Sequence, residues 1–209
     1  MCAILVKEDG KPMDTYDLII TRRSTRAFKD IPLEKETLEK LVEAGRHAPS
    51  GGNSQSTHFF VITDKEVLNL LAQTAQASFA KMELYEGIYP SLASAINRSK
   101  AGSYVIHYNC PALIVTANQK DYGNNIADCA CALENMMILG NEMNLGTCWI
   151  NQLKWLNEDP AILAIFQKLG LGENERIYAA LAVGYPATED GLPDRVPLAR
   201  KGNKVTWVE

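Results

Sequence analysis

The stretch Thr21-Arg22-Arg23-Ser24-Thr25-Arg26-Ala27-Phe28 sets three arginines within five residues, with two hydroxyls among them, in a chain whose net charge is −4. Two readings fit it. A short charge run is ordinarily a solvated face. Guanidinium forks also take phosphate oxygens two at a time, and neighbouring hydroxyls add donors. Upstream, Met13 precedes Asp14, a good helix N-cap, and Asp17 lies three residues on, near the positive helix end. The pattern predicts a short helix over 13–23, so the arginines fall at its C-terminus and in the loop beyond. Cations are favoured there by the helix dipole alone, which accounts for Arg22 and Arg23 without any ligand.

Ile31-Pro32 closes that loop. Leu38, Leu41, Val42, Gly45 and Ala48 then follow helical spacing and stop at Pro49. Ser50-Gly51-Gly52-Asn53-Ser54-Gln55-Ser56 is a loop of small amide and hydroxyl residues. It is either a plain turn or a place where backbone comes close to a ligand. Phe59–Thr63 reads as a buried strand, and Thr63-Asp64-Lys65-Glu66 has capping-box spacing before a helix through Val67, Leu71 and Ala75. Residues 78–108 are loosely periodic, broken by Pro90 and Gly102, and read as helical pieces forming a cover. Pro111–Ala117 is a second buried strand. Residues 125–145 form a helix apolar on nearly all faces, which must be buried in a core or a subunit interface. Gly146 ends that helix, and 147–152 runs out as a strand or strand-like loop. Asp159-Pro160 caps a helix that stops at Gly170. Residues 177–184 are a third buried strand. The tail carries Arg195, Arg200, Lys201 and Lys204, then the apolar alternation Val205-Thr206-Trp207-Val208. Helices alternate with apolar strands, giving an α+β or α/β domain around one sheet, with no linker or repeat.

A chain of 209 residues buries a full core without staples, and 46% hydrophobic with 22% charged residues is ordinary for a globular domain. The negative balance argues against nucleic acid as a partner. No segment reaches the roughly 18 apolar residues needed to span a bilayer, and the apolar run Ala3–Val6 is too short for a signal peptide. Five scattered cysteines suit reduced thiols in the cytoplasm rather than a disulfide framework. Cys129 and Cys131 lack a second ligand pair, so packing explains them and no metal is expected.

The usual catalytic sets are missing: no Gly-x-Ser-x-Gly elbow, no P-loop, no His-Glu-x-x-His, no Gly-x-Gly-x-x-Gly after a strand. His47, His58 and His107 are dispersed. Demanding chemistry therefore has to come from a cofactor. The arginine cluster suits its phosphate, and the amide-rich 50–56 loop suits a planar ring.

At this point the motifs acquire a family. Arg22-Arg23-Ser24-Thr25-Arg26-Ala27-Phe28 followed by Ala48-Pro49-Ser50-Gly51-Gly52-Asn53-Ser54-Gln55 resembles the paired N-terminal motifs of the nitroreductase family of FMN-dependent oxidoreductases. Asn109–Val115 is similar to its central strand, and Asp128–Met137 to its long dimer helix. Gly146–Ile150 and Val183–Pro186 are similar to its later signatures. The resemblance implies an α+β fold with a mostly antiparallel central sheet wrapped by helices, in an interlocked homodimer with two shared FMN sites. It implies that Arg22, Arg23 and Ser24 hold the FMN phosphate and ribityl chain, with Arg200 and Lys201, and that Arg26 lies near the pyrimidine edge of the ring. Pro49, Ser50, Asn53 and Gln55 would come from the other subunit. Trp149, Ile150, Asn151 and Gln152 would pass the ring, with a backbone amide near the flavin N5. Asn151-Gln152 is a departure, since some members carry Glu followed by Gly there. The implied reaction is ping-pong hydride chemistry from NAD(P)H to nitroaromatics or quinones. Relatives that dehalogenate iodotyrosine or fragment FMN, and a flavin-binding redox sensor without turnover, are the alternatives. The domain would be single, with 78–108 as a lid and 195–209 docking on the partner.

Overall fold

The computed structural model describes residues 13–209, so the apolar run at 3–6 lies outside the described residues. One antiparallel sheet runs through the centre. Its strands are β1 (His58–Ile62), β2 (Ala112–Gln119), β3 (Gly146–Ile150) and β4 (Glu175–Gly184), in the order β1-β2-β4-β3. The helices are α1 (Thr15–Thr21), α2 (Lys35–Arg46), α3 (Lys65–Ala80), α4 (Pro90–Lys100), α5 (Asn125–Glu142) and α6 (Pro160–Lys168). Short 3₁₀ turns span Gly51–Asn53 and Gln152–Leu156. The antiparallel sheet wrapped by helices is the expected fold.

Strand side chains alternate between two cores. Leu113, Val115, Ala180 and Ala182 face α3, α4 and α6, with Phe79, Ile96 and Phe166. Ile114, Ala179, Leu181 and Val183 face α2 and α5, with Leu41, Leu133 and Met136. Both faces are covered, which is why the central strands read as continuous apolar runs rather than alternating ones. A bulge between Thr116 and Ala117 shifts the β2–β4 register near its end.

Local chemistry sets the helix ends. Asp14 caps α1 reciprocally with Asp17, each side chain accepting from the other's backbone N–H at 2.9–3.0 Å. The cap of α3 is Asp64, one residue after the expected Thr63, because its Oδ1 takes the N–H groups of both Glu66 and Val67. Asp159 and Pro160 open α6, and Gly170 at φ +105 ends it. Gly146 does not end α5. Asn144 does, at φ +61, with Leu145 N–H bonded to Gly140 O at 2.8 Å.

The α5 helix is not buried on all sides within the subunit. Cys129, Ala132, Leu133 and Met136 are enclosed, while Ile126, Cys131 and Glu134 are exposed. Within 78–108, α3 extends to Ala80 and α4 buries Leu92, Ala95 and Ile96 in the first core. Leu84, Tyr85 and Tyr89 stay exposed between the two helices.

The arginine segment is not a loose loop. Arg22 ends α1, and the chain then lies along the free edge of β3. Ser24 bridges Thr147 in parallel, and Thr25 N–H donates to Thr147 O at 2.8 Å. Phe28 bridges Pro186, where Lys29 N–H donates to Tyr185 O and Ala187 N–H to Ala27 O.

Candidate functional site

Arg22 holds a buried Nη1 with no hydrogen-bond partner among the described residues. Arg22 as a whole is half-buried, and an enclosed donor left unsatisfied is costly, so this nitrogen is available to an anion from outside the chain. The Ser24 hydroxyl and the Arg26 guanidinium are close by. All three act on the Cys148 thiol, which burial pushes above its ordinary range while Arg26, Ser24 and Arg22 pull it back. Burial also raises Cys110 and Cys129 to about 12, so none of these thiols offers a thiolate.

Arg23 stands apart from the other two arginines. Its Nη1 donates to Val196 O at 2.7 Å and lies 3.1 Å from the Asp194 carboxylate. The fork expected to hold phosphate is engaged by the tail of its own chain. Next to it, Arg195 donates to Asn141 Oδ1 at 3.1 Å and Asn144 Oδ1 at 2.7 Å, at the C-terminus of α5. The tail is therefore anchored at 194–196. Beyond this anchor Leu198, Val205, Trp207 and Val208 are exposed. Among the described residues Arg200 bonds locally, Nε to Leu198 O at 3.2 Å, and Lys201 is exposed. The anchor at Asp194 and Val196 brings the tail to Arg23, a few residues before both.

Along β3, Cys148 and Ile150 point into the first core and Trp149 points out, 38% exposed. Ile150 can therefore meet a ligand only through its backbone. Asn151 stands at the N-cap position of the following 3₁₀ turn without a side-chain capping bond. Gln152 donates Nε2 to Ser91 Oγ at 3.2 Å, and its buried Oε1 has no partner among the described residues. Tyr89, just before α4, packs against Trp155 with ring centroids 5.8 Å apart. The 78–108 segment is thus attached to the run that leaves β3.

Pro49, Ser50, Asn53 and Gln55 come together elsewhere, lining a cavity of about 390 Å³ with Asp128 and Ala132. Their backbone is tightly shaped. Gly52, Asn53 and Gln55 have φ of +59, +55 and +49. Gln55 N–H donates to Ser50 Oγ at 3.0 Å, and Gln55 Nε2 to Asn53 Oδ1 at 3.1 Å. Asp128 and Tyr122 hold this loop, and the motif reading does not include either in the site. Buried Asp128 accepts from Gly51 N–H at 3.1 Å, and Tyr122 donates to Gly51 O at 2.8 Å. The signal for Asp128 was present: a carboxylate inside an otherwise apolar helix.

The two groups occupy opposite corners of the sheet. The 49–55 loop leads into β1 at His58, which is in register with Ala117, whereas Ser24 flanks β3 at Thr147, in register with Val183 and so with Ala112. Four strand spacings and five residues of rise separate them by roughly 25 Å, with the packed sheet between.

The family model described as Nitroreductase family matches residues 19–185. A nitroreductase with bound FMN from Bacteroides fragilis is 30% identical with a TM-score of 0.81, covering 94% of this chain and 100% of that one. A nitroreductase with bound FMN from Desulfitobacterium hafniense has the same fold at 22% identity and a TM-score of 0.78, covering 94% of this chain and 100% of that one. A candidate NADH dehydrogenase/NAD(P)H nitroreductase of Archaeoglobus fulgidus is 27% identical over 191 residues, 86% of this chain and 94% of its own length. With the family match running from within α1 to just past the end of β4, this chain belongs to the nitroreductase family.

Proposed function

We propose that the protein is an FMN-dependent oxidoreductase that takes reducing equivalents from NAD(P)H and passes them to electron-poor acceptors such as nitroaromatics or quinones. One observation carries this reading beyond family membership: the buried, unpartnered Nη1 of Arg22 beside Ser24, a place built for a phosphate. The residues present fit the cofactor. Arg22 and Ser24 would hold its phosphate end, Arg26 would face the electron-rich edge of its ring, and the backbone of 149–152 would flank it. Arg23 serves as a tail anchor that keeps this edge in place. Bound FMN supplies the hydride chemistry itself. The chain supplies binding, a cation and an enclosed face, which agrees with the lack of an acid–base set in its sequence.

The functional unit is a homodimer. The 49–55 group lies across the sheet from Arg22 in its own subunit, so Pro49, Ser50, Asn53 and Gln55 serve the partner's cofactor. The exposed apolar side of α5 and the unpacked tail, with Trp207 83% exposed, give the second copy surfaces to cover. Arg200 and Lys201, a few residues past the Arg23 anchor, would join Arg22 at the phosphate end. Residues 78–108 form the cover of a single domain. The four cysteines among the described residues are free, which suits the cytoplasm. No helix among the described residues is long and apolar enough to cross a membrane.

The test is direct. Purified protein is expected to be yellow, to take up FMN, and to oxidise NAD(P)H when a nitroaromatic or quinone is added. Arg22→Ala is expected to weaken FMN binding about 10- to 100-fold, the loss of a charge-assisted contact, with an unchanged melting curve for the apoprotein. Colourless protein that binds no added FMN overturns the reading, and wild-type affinity in Arg22→Ala returns Arg22 to the role of a helix-end cation.

A further inference from the structure

Tyr108 and Asn109, immediately before Cys110 and β2, both have φ of +54. Asparagine tolerates the left-handed region, but a bulky aromatic rarely enters it, because its Cβ crowds the following carbonyl. Such strain persists only where the surroundings impose it. Here they do, on both sides. His107 is buried, with Nε2 3.1 Å from Leu68 O. Cys110 is buried, and its N–H donates to His107 O at 3.1 Å. The turn is pinned at each end, and the left-handed pair decides where the Tyr108 ring goes.

It goes to Arg26. The guanidinium carbon lies 6.0 Å from the centroid of the Tyr108 ring. None of the ion pairs among the described residues includes Arg26. The difference between a ring and a carboxylate matters at this position. A carboxylate orients an arginine but cancels its field beyond the pair. A ring face orients it through the quadrupole and leaves the full positive charge for a third group. The same cation acts on the Cys148 thiol, which places it against β3 beside Ser24.

We propose that Tyr108 is a positioning residue: it holds the Arg26 guanidinium by its ring face, so that an uncancelled positive charge faces the cofactor and raises the reduction potential of bound FMN. This rests on the functional reading above, in which FMN binds beside Arg26. The backbone strain at Tyr108 is maintained because the ring has to stand there.

The experiment uses FMN-loaded protein and two readouts, the two-electron midpoint potential against a reference dye and the melting temperature. Tyr108→Phe keeps the ring and is expected to match wild type in both. Tyr108→Gly removes the ring and relieves the left-handed backbone. Because the ring also packs on the first core, the melting temperature is expected to fall, while in the folded, FMN-loaded protein the preference for reduced over oxidised FMN falls about three- to tenfold, which is roughly 15–30 mV for a two-electron couple. Tyr108→Asn, also tolerant of left-handed backbone, gives the same shift should glycine loosen the turn. Arg26→Gln is expected to shift the potential further, and adding Tyr108→Gly to it is expected to change nothing more. A wild-type potential in both ringless variants overturns the proposal and leaves the functional reading intact. The same follows if Tyr108→Gly shifts the potential equally with and without Arg26. Wild-type protein that takes up no FMN overturns both.

Discussion

A Cβ added to Gly146 would lie 2.6 Å from Thr25 Cγ2 and 2.8 Å from Thr25 Cβ. That is closer than side chains pack, and the segment pressed against it carries Ser24 and Arg26. Gly146→Ala is therefore expected to push the arginine segment off β3 and to cost about 1–3 kcal/mol, the range for overpacking. Thr25→Gly in the same chain should restore most of it, as read from urea denaturation. Equal stability of Gly146→Ala and wild type would show that the edge yields freely. The sequence offers Gly146 as a helix stop and as the start of a family signature, but not as a packing constraint, because that comes from a residue far back in the chain. Arg23 is illegible for the same reason, since it bonds a carbonyl 173 residues further on. Residues whose partners are local were readable: Asp14, Asp159 and Gly170 act where their sequence context puts them.

Whole elements were readable where burial is uniform. The strands β2 and β4 are covered on both faces, so their apolar runs stand out, whereas the order β1-β2-β4-β3 depends on pairings that no local pattern encodes. The 78–108 segment was obscure because α4 buries one stripe while the chain before it exposes Leu84, Tyr85 and Tyr89. His107 closes that segment and ties it to α3. Burial lowers its pKa, opposed by the hydrogen bond to Leu68 O, and its buried Nδ1 has no partner among the described residues. The unfolded chain then binds more protons than the folded one just below the ordinary histidine value of about 6.5. Stability from this group is complete above that value and is lost as pH falls toward the lower folded pKa. Melting temperature is expected to drop between pH 7 and 5, and His107→Gln, whose amide can still reach Leu68 O, is expected to flatten that drop. Parallel pH profiles would remove His107 as its source.

At the scale of the molecule, the decisive fact is that the two halves of the proposed site lie at opposite corners of one sheet. Sequence motifs name both halves but cannot say that the sheet separates them, because register and strand order are properties of the folded chain. The proposed dimer with two-fold symmetry would bring the 49–55 loop of one copy to the arginine edge of the other, twice. This arrangement predicts complementation. Arg22→Ala damages only the arginine half, and Asn53→Ala with Gln55→Ala damages only the loop half. Each homodimer then has two crippled sites. In a heterodimer the doubly damaged site collects all the substitutions, and the other site is wild type in every residue. Co-expressing the two variants with different tags and random pairing should restore FMN binding at about a quarter of all sites, and at half of those in dimers purified through both tags. If each site is built within one subunit, the doubly tagged dimers will bind FMN no better than their parents, and the shared-site dimer is wrong. Measuring flavin per doubly tagged dimer by absorbance decides between them without any need to know the physiological acceptor.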